Sequence, residues 1–224
     1  MNTPLLHVQH LAFAWPRTGT LVLKNINLDI SPEESVGISG KNGSGKTTLF
    51  SCVSGLLPLS GGQIFFKNKA VTSESDFQKL RLEVGYCLQS AEDQIIFPTV
   101  MEDVSFGPRN QGLSQQQALQ RAEETLQLVG IGEFGKRLTS ELSGGELRLA
   151  ALAGILAMKP QLILLDEPFT GLDIQACKHL QTVLCKLSCA KIIVAHDEQL
   201  LNALCSRQLV LADGLLHEAA PSSS

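Results

Sequence analysis

Long apolar runs are missing from this chain. The longest, Leu149 to Met158, is ten residues with a glycine inside it. That is well short of the roughly 18 that a membrane-crossing helix needs, so no span is expected. The leading segment, MNTPLLHVQHLAF, has no Lys or Arg and no small-residue cleavage site, so no secretion signal is expected either. Basic residues are in deficit, 18 Lys and Arg against 22 Asp and Glu, for a net charge of −4. A dedicated nucleic-acid or anionic-lipid binder would carry a basic footprint, and only a local patch stays open. No C-x-x-C pair occurs among the six cysteines, Cys52, Cys87, Cys177, Cys185, Cys189 and Cys205. They are expected as reduced, packed thiols of a cytosolic protein. Metal binding by Cys177, Cys185 and Cys189 stays open, although their spacing is not that of a zinc motif.

What is present is ordinary globular material. Of 224 residues, 44% are hydrophobic and 18% charged, enough for one or two domains. Residues 5–13 and 20–30 alternate as half-buried strands do, with a turn at Ser31–Glu34. Ser35 to Ser39 reads as a short strand, followed by a Gly-rich loop and a helix through Leu57. Ser60-Gly61-Gly62 reads as a turn before a strand at 63–66, and 84–88 as another strand. From about 90 to 150 Gln and Glu become frequent and helical periods dominate. Ser114-x-x-Gln117 opens one helix that runs to about Val129 and stops at Gly130. Apolar strands return at 162–165 and 192–195 with helices between them. Buried strands alternating with helices predict an α/β fold with a mainly parallel sheet. The expected division is a single domain: an α/β core of residues 1–88 and 160–218 with an N-terminal antiparallel β subdomain, a helical insert over about 89–159, and a flexible tail at 219–224.

Four patterns carry chemistry. Gly40-Lys41-Asn42-Gly43-Ser44-Gly45-Lys46-Thr47 matches G-x-x-x-x-G-K-[ST] between a strand and a helix. Its glycines let backbone N–H groups curl around phosphates, and the helix N-terminus adds a positive dipole end. Lys46 suits the β- and γ-phosphates of a nucleotide, Thr47 suits Mg²⁺, and Thr48 an α-phosphate oxygen. Leu162 to Glu167 is an apolar strand ending in two adjacent acids, which repel and so need cations or a task. Asp166 suits a hold on Mg²⁺. Glu167, pointing the other way along the pleat, suits polarising a water. Leu142-Ser143-Gly144-Gly145-Glu146 precedes a helix from about Leu147 to Met158. A capping box explains Ser143 and Glu146, but two glycines in a first turn cost about 1 kcal/mol each against alanine. Their gain is close backbone approach to an anion, in a chain that already has one phosphate loop. The nucleotide served is then one held by another copy or a partner. His196 and Gln89 follow strands at the sheet edge where α/β ligands bind.

In this order and spacing the residues resemble an ATP-binding-cassette ATPase over nearly the whole chain. The resemblance implies a P-loop NTPase (RecA-like) fold and hydrolysis of MgATP. It makes Glu167 the general base and puts His196 on the γ-phosphate. It has Gln89 sense the γ-phosphate and Mg²⁺ and link them to a membrane subunit. Ser143 and Gly145 then complete the opposite site of a head-to-tail dimer, and Asp173 belongs to a loop crossing its interface. Trp15, the only Trp, falls where the family stacks an aromatic on adenine, with a core or rim aromatic as the other placement. The segment Gln89 to Pro108, with Asp93-Gln94 and T-V-x-E-D-V-x-F-G-P, is similar to energy-coupling-factor and cobalt/nickel importer ATPases. The implied partners are a like or related ATPase, an integral membrane subunit docking through a coupling helix, and a membrane substrate-binding subunit, without nucleic acid. The implied place is the cytoplasmic face of the membrane, and the implied solutes are cobalt, nickel, biotin or another vitamin. Ile95, Ile96 and Phe97 suit the coupling-helix groove, or burial inside the helical insert. Leu147 and Ile174 stand where many relatives have Lys and Pro, and a C-terminal extension found in many relatives is not seen. A cassette ATPase without a transport partner, or a P-loop kinase of a small molecule, are the competing functions; the kinase leaves Leu142–Glu146 and His196 unexplained.

Overall fold

The computed structural model describes residues 3–219, so most of the tail expected at 219–224 lies outside the described residues. Two sheets carry the fold. The first is antiparallel, of order β2-β1-β4-β5, from β1 (Leu6–Ala14), β2 (Leu21–Ile30), β4 (Gly61–Phe66) and β5 (Lys69–Ala70). The second has order β10-β9-β3-β8-β7-β6. It comprises β3 (Ser35–Ser39), β6 (Val84–Cys87), β7 (Leu162–Asp166), β8 (Ala190–Val194), β9 (Arg207–Ala212) and β10 (Leu215–Glu218). All its pairs are parallel except β9 with β10, which form a hairpin.

The parallel strands read as unbroken apolar runs because both faces are buried. Successive residues go to opposite sides. Leu162, Leu164, Ile192 and Val194 join one core with the antiparallel sheet and helix α1 (Lys46–Val53). Ile163, Leu165, Ile193 and Ala195 join a second core with α3 (Val100–Asn110), α4 (Gln115–Leu128), α5 (Gly144–Ala157), α6 (Ile174–Lys186) and α7 (Glu198–Leu204). The helix α5 sits centrally in that second core. Its Leu149, Leu152, Ile155 and Leu156 are all buried, as are the alanines between and after them, which suits a helix that is apolar nearly all round.

Local signals set the helix starts. Ser114, Thr99 and Ser143 each accept from the N–H three residues on, and Gln117, Glu102 and Glu146 reach back in full capping boxes. The helix α2 (Glu74–Glu83) has the same device in Ser73 and Asp76. It was not anticipated from the sequence, because its apolar stripe is thin and only Leu80 is buried.

Several expectations need correction. The helix after the Gly-rich loop ends at Val53 rather than Leu57, because Gly55 turns to φ +71° under the ring of Phe77. Gly61 and Gly62 lie in β4, not in a turn, since Gly61 pairs with Ala12 across a bulge in β1. The strand β6 stops at Cys87, one residue early, because the Leu88 N–H donates to Gln94 Oε1 at 3.0 Å instead of to the ladder. The helix α5 begins at Gly144, three residues before Leu147, so both glycines are helical.

The sheet and α5 meet at Gly85, where a Cβ would lie 2.2 Å from Ile155 Cγ2. Overpacking of this kind typically costs about 1–3 kcal/mol. Gly85→Ala should therefore lose about that much stability, seen as a lower urea midpoint with an unchanged m-value in equilibrium denaturation.

Candidate functional site

The parallel register brings the carboxyl ends of β3, β7 and β8 into line: Ile38 pairs with Val194, and Val194 with Asp166. The loop after β3 folds over this edge with Gly40, Gly43 and Gly45 all at positive φ, a conformation that L side chains resist. It delivers Lys46 and Thr47 into the first turn of α1. A cleft of about 410 Å³ opens here, lined by Trp15, Val22, Asn42, Gly43, Gly45, Lys46, Thr47, Thr48, Gln89, Asp166, Glu167 and His196. Six separate stretches of chain thus converge on one site.

Inside it, the Lys46 ammonium donates to the carbonyls of Gly40 and Lys41 at 2.8 and 3.1 Å, so it is already bent over the loop. Thr47 Oγ1 donates to Asp166 Oδ2 at 2.7 Å, joining α1 to β7. Burial pushes the Asp166 carboxyl up, and the Thr47 hydroxyl and the Lys46 charge pull it part of the way back. Burial also pushes Glu167 up, opposed by His196. His196 Nε2 lies 3.3 Å from Glu167 Oε1, yet that buried oxygen makes no hydrogen bond. Glu167 stands beyond the end of β7 with φ +52°. The expectation that it follows the strand's pleat is thus corrected: a left-handed backbone aims it, and Pro168 after it already disfavours the ordinary helical conformation. Such a backbone costs roughly 1–3 kcal/mol and must be held from outside.

Trp15 is 44% exposed at the rim, its ring set edge-on to Phe13 with centroids 5.1 Å apart. Gly40 and Ser44 face the other side of the loop, toward the turn at Asp213–Gly214. The Ser44 hydroxyl is buried there without a partner.

Ser143, Gly144, Gly145 and Asp173 do not join the cleft. Ser143 donates its hydroxyl to Glu146 Oε2 at 2.8 Å, and Arg137 Nη1 lies 3.1 Å from Glu146 Oε1. A Cβ at Gly145 would come within 3.1 Å of the Gly171 carbonyl, so the helix start packs on that loop. Asp173 caps α6 by accepting from the Ala176 N–H at 2.8 Å. Arg148 escaped the sequence analysis. Its Nη1 donates to the Glu167 carbonyl at 2.6 Å and its Nη2 to the Gln89 carbonyl at 2.7 Å. The available signal was its isolation, as the one charged residue between Leu147 and Met158.

The residues suit MgATP. The loop leaves backbone N–H groups and Lys46 for phosphate, a hydroxyl and a carboxylate 2.7 Å apart are hard oxygen donors for Mg²⁺, and Glu167 keeps a buried oxygen without a hydrogen bond. A parallel sheet with this loop and these acids at its carboxyl edge defines a P-loop NTPase.

The sequence profile of the ABC transporter family matches residues 23–170, and the chain belongs to that family. The energy-coupling factor transporter ATP-binding protein EcfA of Methanothermobacter thermautotrophicus is 37% identical over 97% of this chain and 71% of that one. A protein of Nitratidesulfovibrio vulgaris, provisionally named an ABC transporter ATP-binding protein, is 41% identical over 96% of this chain and 79% of that one. Among solved structures, cbiO1 from Clostridium perfringens, described as part of the ABC transporter complex cbiONQ, matches with a TM-score of 0.84. It is 33% identical, over 96% of this chain and 87% of that one. The chain is accordingly an ATPase subunit of a transporter, acting on ATP with Mg²⁺. No described helix is long and apolar enough to cross a membrane.

Asp166 and Glu167 bind protons more tightly folded than unfolded. Each therefore lowers stability as pH rises from the ordinary carboxylate range through its raised value, and the loss persists above it. In the absence of nucleotide, Glu167→Gln should melt above the parent protein at pH 7, and the difference should shrink toward pH 4, read by thermal denaturation at both.

Proposed function

We propose that this chain is the ATP-hydrolysing subunit of an energy-coupling-factor-type importer, peripheral on the cytoplasmic face of the membrane. The observation that carries it is the convergence of Lys46, Thr47, Gln89, Asp166, Glu167 and His196 on one cleft. The likeness to EcfA and to cbiO1 supports the importer type. Cobalt, nickel, biotin or another vitamin is the proposed solute class.

Phosphoryl transfer to water is mostly positioning and charge stabilisation. The triphosphate lies along the loop N–H groups of residues 40–45, with Lys46 on the β- and γ-phosphates, Thr48 on the α-phosphate and Trp15 on adenine. Thr47, Asp166 and Gln89 would hold Mg²⁺, which would supply charge to offset that of the phosphates. The Glu167 carboxylate takes the proton of the attacking water as the new P–O bond forms and the bond to ADP breaks. The raised affinity of Glu167 for protons favours that acceptance. His196 holds Glu167 and the γ-phosphate. Ser143, Gly144, Gly145 and Asp173, which lie outside the chain's own cleft, serve the site of a second cassette, a like or related ATPase, in a head-to-tail dimer.

Residues 1–88 and 160–218 act as the nucleotide-binding part and 89–159 as the helical part of one ABC ATPase domain. Between them runs a groove of about 350 Å³ whose lining includes Leu56, Ile96 and Phe106. These three are 57%, 65% and 38% exposed. Large apolar side chains left open in a concave strip suit an amphipathic helix of a membrane partner.

Glu167→Gln should keep ATP affinity, followed by Trp15 fluorescence, while turnover falls at least ~100-fold; wild-type turnover would sink the assignment. Tagged protein extracted from native membranes in mild detergent should bring down small polytopic proteins. Ile96→Asp should lose them without losing ATP binding, and recovery of the parent chain free of any integral membrane protein would favour a cassette ATPase not coupled to transport.

A further inference from the structure

The guanidinium of Arg148 holds two carbonyls, those of Glu167 and Gln89, at 2.6 and 2.7 Å. They belong to different strand ends, and a planar fork holds both in one fixed geometry, which a compact, rotatable lysine ammonium does not impose. One of the two carbonyls belongs to the residue in left-handed backbone, Glu167. The remaining restraints on that peptide are its N–H, which donates to the Val194 carbonyl at 3.0 Å, and the Thr170 N–H, which donates to its carbonyl at 3.2 Å. Among the described residues, Arg148 is thus the one side chain that ties the Glu167 peptide to α5, the helix capped by Ser143. A turn further along α5, Gln94 donates to the Ala151 carbonyl at 2.9 Å while accepting from the Leu88 N–H at 3.0 Å. Gln94 also lines the groove that exposes Ile96. A continuous set of contacts therefore runs from groove to Gln94, to α5, to Arg148, to Glu167.

We propose that Arg148 is a positioning residue for hydrolysis: it sets the peptide of Glu167, and with it the aim of the carboxylate, from α5 and the backbone at Gln89. Turnover then depends on how the helical part sits against the sheet, which is what a partner in the groove would alter. This rests on Glu167 being the general base.

The test uses the full-length chain, with ATP turnover and Trp15 fluorescence as readouts. Arg148→Ala should lower kcat at least about 10-fold while KM and ATP affinity stay within about 3-fold, the mark of an interaction made only in the transition state. Arg148→Lys should recover little of the loss. On a Glu167→Gln background Arg148→Ala should slow the residual rate less than about 2-fold, because a group acting through Glu167 has nothing left to aim. Wild-type kcat in Arg148→Ala, or equal losses on both backgrounds, would overturn the proposal. If Arg148→Ala does not fold, judged by circular dichroism, Arg148→Gln, which keeps an N–H donor, takes its place in the same comparison. Full turnover in Glu167→Gln alone would instead remove the general-base assignment, and this proposal with it.

Discussion

The site exists because β3, β8, β7 and β6 run parallel and in register. Parallel pairing puts every carboxyl end on one edge, and the pairs Ile38–Val194 and Asp166–Val194 fix how far each strand reaches. A slip of one residue would send Leu162, Leu164, Ile192 and Val194 to the wrong face and move Asp166 away from Thr47. The register is enforced by apolar burial on both faces, since these strands have no solvent side on which a misplaced residue could be tolerated. The polar edge is thus positioned by residues that take no part in its chemistry.

At that edge the balance is electrostatic. Asp166 and Glu167 are neighbouring acids removed from water, and burial raises both. Two carboxylates so placed are tolerable with cationic and hydrogen-bonding neighbours: Lys46 and the Thr47 hydroxyl for Asp166, His196 for Glu167. The same burial that makes the pair unfavourable strengthens whatever charge interactions it makes. Stability is given up locally where charge is needed.

The helical side has a different construction. The helix α5 is buried by apolar contact along most of its length, yet its first turn is open and its second carries Arg148 back to the strand ends. One element therefore leaves its capped N-terminus outside the cleft and sends a guanidinium to the strand ends. Glu146 joins these roles to Arg137, which also stacks on Phe134 with its charge 4.6 Å from the ring centroid.

Much of this was legible from the residues in order. The Gly-rich loop, the capping boxes at Ser114 and Ser143 and the apolar strands at 162 and 192 are local patterns, and local patterns report backbone needs directly: positive φ, unsatisfied N–H groups, two buried faces. The helix at 74–83, the pairing of β9 with β10 and the early end of β6 were not legible, because they depend on weak stripes or on a hydrogen bond diverted to a distant side chain. Arg148 is the clearest case. Its two partners are 19 and 59 residues away, so no spacing rule can join them. The sequence by itself determined the Gly-rich loop and the capped start of α5, because both are built from adjacent residues. Tertiary structure alone decided that Arg148 holds the Glu167 and Gln89 carbonyls and that Ser143, Gly144 and Gly145 lie outside the cleft, because those depend on where the packing of α5 carries side chains and backbone that the chain order keeps apart.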